Sequence, residues 1–91
     1  MTAYAFGHAG DGNIHVCSPF TADTYQSVYE MNTNVVQKAI SLNGTATGEH
    51  GVGIGKSRFM TQEHGIALAV MHELKQTLDP NWILNPGKIF P

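Results

Sequence analysis

The chain has 91 residues, of which 42% are hydrophobic and 13% are charged, and its net charge is −2. A chain of this length buries only about 60–65% of the surface that its unfolded form exposes, so it holds one small core. The slight negative charge gives no electrostatic indication of binding to nucleic acid or an anionic membrane, and a single cysteine excludes an intramolecular disulfide. No apolar run approaches the ~18 residues of a membrane span and no signal peptide is recognisable, so we expect a cytoplasmic protein.

The first predicted elements are two strands, over residues about 3–8 and 13–17, joined through Asp11-Gly12. An Asp-Gly pair favours a two-residue type I′ turn, because both central positions of that turn need a positive φ. This turn would pair His8 directly with His15, and directly opposed side chains have Cβ atoms roughly 4.5–5.5 Å apart. Two interpretations stay open: a metal site, and two half-buried histidines that flank a turn.

The middle of the chain predicts a helix over about 22–42, with Thr21 as its N-cap and Asn43-Gly44 at its end. Residues 45–47 predict a short strand that leads into the next glycine-rich loop.

The last third of the chain predicts one helical turn over residues 56–60 and a second helix over about 62–78, which Asp79-Pro80 ends. The tail that follows is expected to lie extended over a surface, with Trp82 as a packing residue. The apolar stripe of the second helix comprises Ile66 or Ala67, Val70, Met71, Leu74 and Leu78.

A second group of polar side chains lies among glycines, where Glu49 and His50 are adjacent. Glycines let the backbone pass close to a ligand and let neighbouring side chains point in unusual directions. Two histidines and one carboxylate form a common open metal site that leaves coordination positions for substrate or water. This segment therefore favours the metal interpretation for His8 and His15.

The glycines that follow His50 do not match a phosphate-binding motif. A P-loop needs glycine five positions before Gly55, where the chain has His50. A dinucleotide fingerprint that starts at Gly51 needs glycine at the position of Lys56. Lys56 and Arg58 are either surface charges or candidates for binding an anionic substrate.

Three ordered segments, GHAGDGNIH at 7–15, GTATGEHGVG at 44–53 and LDPNWILNPGKIF at 78–90, resemble the C-terminal end of FAD-linked oxidases. The resemblance is to the vanillyl-alcohol-oxidase type, in the branch of D-lactate dehydrogenases, glycolate oxidase flavin subunits and D-2-hydroxyglutarate dehydrogenases. It implies an α+β fold that is part of a ferredoxin-like antiparallel sheet with helices on one face. It also implies that residues 1–91 are the C-terminal portion of the substrate or cap domain, with the flavin-binding domain absent.

The same resemblance assigns roles to individual residues. His8 and His15 match the two metal-binding histidines of the family, and Glu49 matches its metal-binding carboxylate. His50 matches the histidine proposed as the catalytic general base. The implied cofactors are FAD, bound mainly by the missing domain, and a divalent ion such as zinc, manganese or iron.

The implied function is oxidation of a D-2-hydroxy acid, of the lactate or glycolate type, to the 2-oxo acid, and the fragment alone is expected to be inactive. Asn13 and Asn85 would add hydrogen bonds at the flavin or the metal. The alternative is a non-enzymatic metal-binding or assembly module that keeps the cap-domain fold. The expected partners are the small acid and either the rest of the enzyme or a second copy, which would pair through an exposed sheet edge.

Overall fold

The computed structural model describes residues 2–91, which form a two-stranded antiparallel sheet and three helices. The predicted α+β class and the order hairpin, helix, helix are confirmed. Among residues 2–91, no helix combines the length and the hydropathy that a membrane crossing requires. The elements are β1 (Tyr4–His8), β2 (Asn13–Cys17), α1 (Tyr25–Ser41), α2 (Met60–His64) and α3 (Ala67–Leu78), with 3-10 turns at Ala9–Asp11 and Ser57–Phe59.

The turn of the hairpin is longer than predicted. The 3-10 turn Ala9–Asp11 is closed by Gly12, which has a left-handed φ of 70° and donates its N–H to the carbonyl of Ala9 over 3.1 Å. Four residues therefore connect the strands, where a type I′ turn would use two. The Asp-Gly signal misleads because Gly12 alone takes a positive φ, while Asp11 stays in the 3-10 turn.

The longer turn changes the pairing of the strands. His8 pairs with Asn13, and His15 pairs with Phe6, so the predicted direct pairing of His8 with His15 is wrong. The partner of His8 is Asn13, two residues before the predicted partner His15. A shift of two residues leaves each side chain on the same face of the sheet, because side chains alternate between the faces. His8 and His15 are therefore diagonal neighbours on one face. Gly7 lies between them in the ladder, where a Cβ would be 2.2 Å from the backbone oxygen of Asn13.

Helix α1 follows the prediction at its centre and differs at both ends. Its N-cap is Thr24, and the hydroxyl of Thr24 accepts a hydrogen bond from the N–H of Thr21 instead of capping the helix. At the C-terminus the predicted Asn43-Gly44 pair ends the helix, and Asn43, with a φ of 64°, takes the left-handed position. Asn43 and Gly44 both donate backbone hydrogen bonds to the last turn of α1, which is the Schellman arrangement.

Two further predictions are corrected by the structure. Residues 45–47 form no strand, because the side chain of Glu63, rather than a neighbouring strand, accepts the backbone N–H of Ala46. The predicted helix over 62–78 is split into α2 and α3 by Gly65, whose φ of 52° and ψ of −122° cannot continue a helix. The predicted end at Asp79 and the helical turn before Met60 are confirmed.

The buried apolar residues are Val36 of α1 and the adjacent Phe59 and Met60, each 3–5% exposed. Phe59 and Met60 lie at the junction of the 3-10 turn with α2, and Arg58 of the same turn contacts α1. By contrast, the apolar stripe predicted for α3 is largely exposed within residues 2–91, with Ile66 at 90% and Leu78 at 82%.

The turn that follows α3 is organised by Asp79, which is 5% exposed. Its carboxylate accepts the N–H groups of Ile83 and Leu84 over 3.2 and 3.0 Å, and Lys75 donates to it over 2.5 Å. The hydrogen bond from Lys75, followed by those from Leu84 and Ile83, lowers the pKa of Asp79 below its ordinary value although burial opposes this. Asp79 therefore stays ionised and holds the start of the tail in place.

Candidate functional site

Strand β2, helix α1 and the loop that contains Glu49 line one cleft of about 400 Å³. The cleft brings together the segments 7–15 and 44–53, which are far apart in the sequence. Its polar lining side chains are Asn13 and His15 from β2, Asn32 from α1, Thr47, Glu49 and His50 from the loop, and Lys56.

Three side chains with metal-ligand chemistry converge in this cleft. His15 Nε2 lies 2.8 Å from Glu49 Oε1, and the rings of His15 and His50 have centroids 5.2 Å apart. One ligand atom from each of His15, Glu49 and His50 lies within 4.8 Å of the other two. Two imidazole nitrogens and a carboxylate oxygen are donors that suit zinc, manganese or iron, so the residues present fit a divalent ion.

Two neighbours orient this group. The ring of Phe6 stacks on the ring of His15 with centroids 5.3 Å apart, as expected from their pairing in the sheet. Asn13 Nδ2 donates to Glu49 Oε1 over 3.0 Å. A Cβ on Gly48 would lie 2.5 Å from Asn13 Oδ1, so a larger residue at position 48 would displace the amide of Asn13 from this position.

Glu63 of α2 accepts hydrogen bonds from the start of the loop that carries Glu49 and His50. One carboxylate oxygen of Glu63 accepts the backbone N–H of Ala46, and the other accepts the hydroxyl of Thr45 over 2.9 Å. His64 Nε2 lies 2.7 Å from the second oxygen. Sequence reasoning missed Glu63, because the residues it binds lie 17 and 18 positions away and no local pattern connects them.

The tail also contacts this loop. The N–H of Ile89 donates to the carbonyl of Gly53 over 2.7 Å. Nearer the start of the tail, the ring of Trp82 packs against the rings of His72 and Phe90, with centroid distances of 5.0 and 5.9 Å. The expectation that Trp82 is a packing residue is therefore confirmed, and His72 lies in this aromatic group, outside the cleft.

The structure brings four of the six predicted site residues together and leaves two apart. His8 shares a sheet face with His15 but lies outside the group of three ligand atoms, and Asn85 lies in the tail turn with a φ of 46°, outside the cleft lining. The four that meet in the cleft are Asn13, His15, Glu49 and His50.

Arg58, one of the two cations considered for an anionic ligand, is used within the fold. Its guanidinium lies over the rings of Tyr29 and Phe59, at 4.2 and 4.4 Å from their centroids. It also donates to the hydroxyl of Thr33 over 2.9 Å. Cation–π contacts and this hydrogen bond attach the 3-10 turn to α1, and they leave Lys56 as the remaining candidate.

Comparison with known proteins extends these findings. A family model described as "FAD linked oxidases, C-terminal domain" matches residues 1–89. Over 88 residues the chain is 48% identical to the D-lactate dehydrogenase [cytochrome], mitochondrial, of Arabidopsis thaliana, with 92% of this chain and 16% of that protein covered. A probable mitochondrial D-lactate dehydrogenase of Danio rerio is 42% identical over 98% of this chain and 19% of its own length.

A bacterial relative shows the same pattern. Glycolate oxidase subunit GlcD of Bacillus subtilis is 44% identical over 93% of this chain and 19% of that protein. The chain thus spans less than a fifth of the length of these curated relatives, while nearly all of it is matched.

Proposed function

Because the chain belongs to the family of FAD-linked oxidase C-terminal domains, we propose that it supplies the metal-binding and proton-accepting side of an active site that oxidises a D-2-hydroxy acid to the 2-oxo acid. The observation that carries the proposal is the convergence of His15, Glu49 and His50 in one cleft. The names of the relatives, D-lactate dehydrogenases and a glycolate oxidase subunit, support the substrate class.

The chemistry separates into two transfers. Oxidation of the alcohol removes a proton from the hydroxyl oxygen and a hydride from Cα, and the electron pair of the O–H bond becomes the second bond of the carbonyl. FAD, which the family name implies, supplies the hydride acceptor when bound. What the residues of this chain must supply is a place for the hydroxyl proton and a means of orienting the acid.

His50 is the proposed base. It lines the cleft beside Glu49, and its imidazole is exposed enough to meet a ligand. Imidazole accepts protons efficiently near neutral pH, and a positioned base typically contributes about 10²–10⁴ to the rate. The nitrogen of His50 lies close enough to His15 and Glu49 to share an ion with them, but in this role it must stay unbound, because a nitrogen that binds a metal cannot take a proton.

His15 and Glu49 are the proposed anchors of a divalent ion. His8 lies on the same face of the sheet but outside the group of three ligand atoms, and its role as a metal ligand stays a prediction. Such an ion lowers the pKa of a bound hydroxyl and fixes the orientation of the acid. The hydrogen bond from Asn13 fixes one oxygen of Glu49, which is the kind of support that orients metal ligands. Asn85 does not line the cleft, and its hydrogen bond to the flavin or the metal stays a prediction.

The partners of the chain follow from its sheet. Each strand of a two-stranded sheet has an outer edge, and such edges pair readily with further strands. We propose that the rest of the enzyme, or a second copy of the chain, pairs with an outer edge of this sheet. The cytoplasmic location likewise stays a prediction.

The experiment uses the natural full-length protein, purified with its flavin bound. It compares the variant His15→Ala with the control His72→Gln. We expect D-lactate or glycolate to bleach the visible flavin absorbance of the wild type without oxygen. His15→Ala should lose bound metal and this bleaching, whereas His72→Gln should keep both, because His72 lies outside the cleft. Metal binding without oxidation of either acid would overturn the proposal and favour the non-enzymatic module.

A further inference from the structure

Lys56 is a cation of the cleft that the proposed chemistry does not use. It lines the same cavity as Glu49 and His50, and its side chain is partly buried. The ion pairs within residues 2–91 are those of His15, His64 and Lys75, so the described part of the chain provides no carboxylate partner for Lys56.

The surroundings of Lys56 leave its positive charge uncompensated. Burial lowers the pKa of Lys56, and the nearby charge of Arg58 lowers the pKa further. Both effects act against the charged form, and an anion beside the ammonium would act in its favour. A cleft that holds such a lysine is therefore suited to an anionic ligand.

Neither the other charged group that lines the cleft nor the cation near Lys56 meets this need. Glu49 is the one acidic residue that lines the cleft, and its carboxylate already contacts His15 and Asn13. A negatively charged carboxylate repels an anionic ligand. Arg58 is attached to the aromatic rings of Tyr29 and Phe59. One wall of the cleft thus presents metal-ligand donors, and Lys56 presents an ammonium.

We propose that Lys56 binds the carboxylate of the substrate, so that the cleft selects small acids over neutral alcohols. This inference rests on the proposed function and adds a specificity-determining residue to it. The cleft, at about 400 Å³, accommodates a small hydroxy acid. A lysine is a point charge that can meet one carboxylate oxygen while the hydroxyl of the acid remains directed towards His50.

The same ammonium chemistry would suit a phosphate of the cofactor, and the two sources of the anion are distinguished by the flavin content. If Lys56 binds the substrate, its replacement weakens binding of the acid and leaves the flavin in place. If Lys56 binds a cofactor phosphate, its replacement lowers the flavin content of the purified protein, which would overturn the proposal.

The experiment compares Lys56→Met and Lys56→Gln with Lys56→Arg, and with Lys38→Met as a matched control on the exposed end of α1. We expect KM for D-lactate to rise about 10- to 100-fold in Lys56→Met and Lys56→Gln, as for the loss of one hydrogen bond to a charged group. Lys56→Arg should recover most of this loss, and Lys38→Met should match the wild type. The turnover number and the flavin content should change little.

A second measurement keeps this proposal separate from the oxidation itself. Calorimetry with 2-hydroxy-2-methylpropanoate, which has no Cα hydrogen to transfer, reports binding of the acid without turnover. If the wild type binds this acid and Lys56→Met binds it 10- to 100-fold more weakly, the subsite stands even where no acid is oxidised. Equal affinities in the wild type, Lys56→Met and Lys56→Gln would overturn it.

Discussion

Gly48 offers a direct test of how the loop orients Glu49. In Gly48→Ala the new Cβ would lie 2.5 Å from Asn13 Oδ1 and 3.0 Å from its Cγ. The amide must therefore move by about 1 Å to reach ordinary contact, and we expect this movement to break the 3.0 Å hydrogen bond from Nδ2 to Glu49 Oε1. Since the displaced group is the end of a flexible side chain, we expect the fold to be retained.

The size of the effect follows from the lost hydrogen bond. A hydrogen bond to a charged group contributes about 1.5–3 kcal/mol when it is shielded from water. The side chain of Glu49 is 46% exposed, so solvent weakens the contact and we expect about 1 kcal/mol. This corresponds to roughly fivefold weaker binding of Zn²⁺ by the native polypeptide, measured by calorimetric titration.

A double-mutant cycle isolates the cause. Gly48→Ala acts through Asn13, so in an Asn13→Ala background the same substitution should have almost no further effect on the affinity for Zn²⁺. Gly55→Ala is the matched control, because a Cβ there meets nothing within 4 Å and its φ is not left-handed. Additive effects of Gly48→Ala and Asn13→Ala would refute the reasoning, as would an equal loss in Gly55→Ala.

Three further predictions concern the core, the loop that carries Glu49, and the turn that follows α3. Phe59→Ala, at a position that is 3% exposed, should lower the free energy of unfolding by about 3–5 kcal/mol in urea titration, and a loss below about 1 kcal/mol would contradict its place in the core. Glu63→Ala should weaken Zn²⁺ binding while the exposed control Glu73→Ala does not, because the carboxylate of Glu63 holds Thr45 and Ala46; identical affinities would remove it as an anchor. The lowered pKa of Asp79 means that its contribution to stability is complete above its ordinary value of 3.8 and is lost as the pH falls through the lowered value. The stability gap between wild type and Asp79→Asn should thus narrow in strong acid, and a constant gap in urea titrations across this range would contradict the ion pair.

The strands and α1 could be predicted from sequence because their signals are local. Alternation of side chains and helical spacing identified the hairpin and α1 to within a few residues. The register could not be predicted in the same way, since Asp11-Gly12 is compatible with both a two-residue and a four-residue turn. The choice between them depends on how the whole hairpin packs.

The parts of the site differ in the same way. Glu49 and His50 are adjacent in the chain, and the glycines around them mark both residues as candidates in the sequence. Glu63 carries no such mark, because its function depends on contact with a loop 17 and 18 residues away. Gly65 lies within the predicted helix over 62–78, but its φ of 52° and ψ of −122° end α2 one residue after His64.

The role of His50 is the central claim, and the rate of flavin reduction by D-lactate in His50→Ala tests it most directly. The native polypeptide is mixed with D-lactate without oxygen, and metal and flavin contents are determined on the same samples. We predict a rate about 10²–10⁴ lower than that of the wild type, with metal and flavin retained, because a positioned base contributes this much. A rate close to that of the wild type would contradict the account, and loss of the metal would show that His50 is a ligand and not the base.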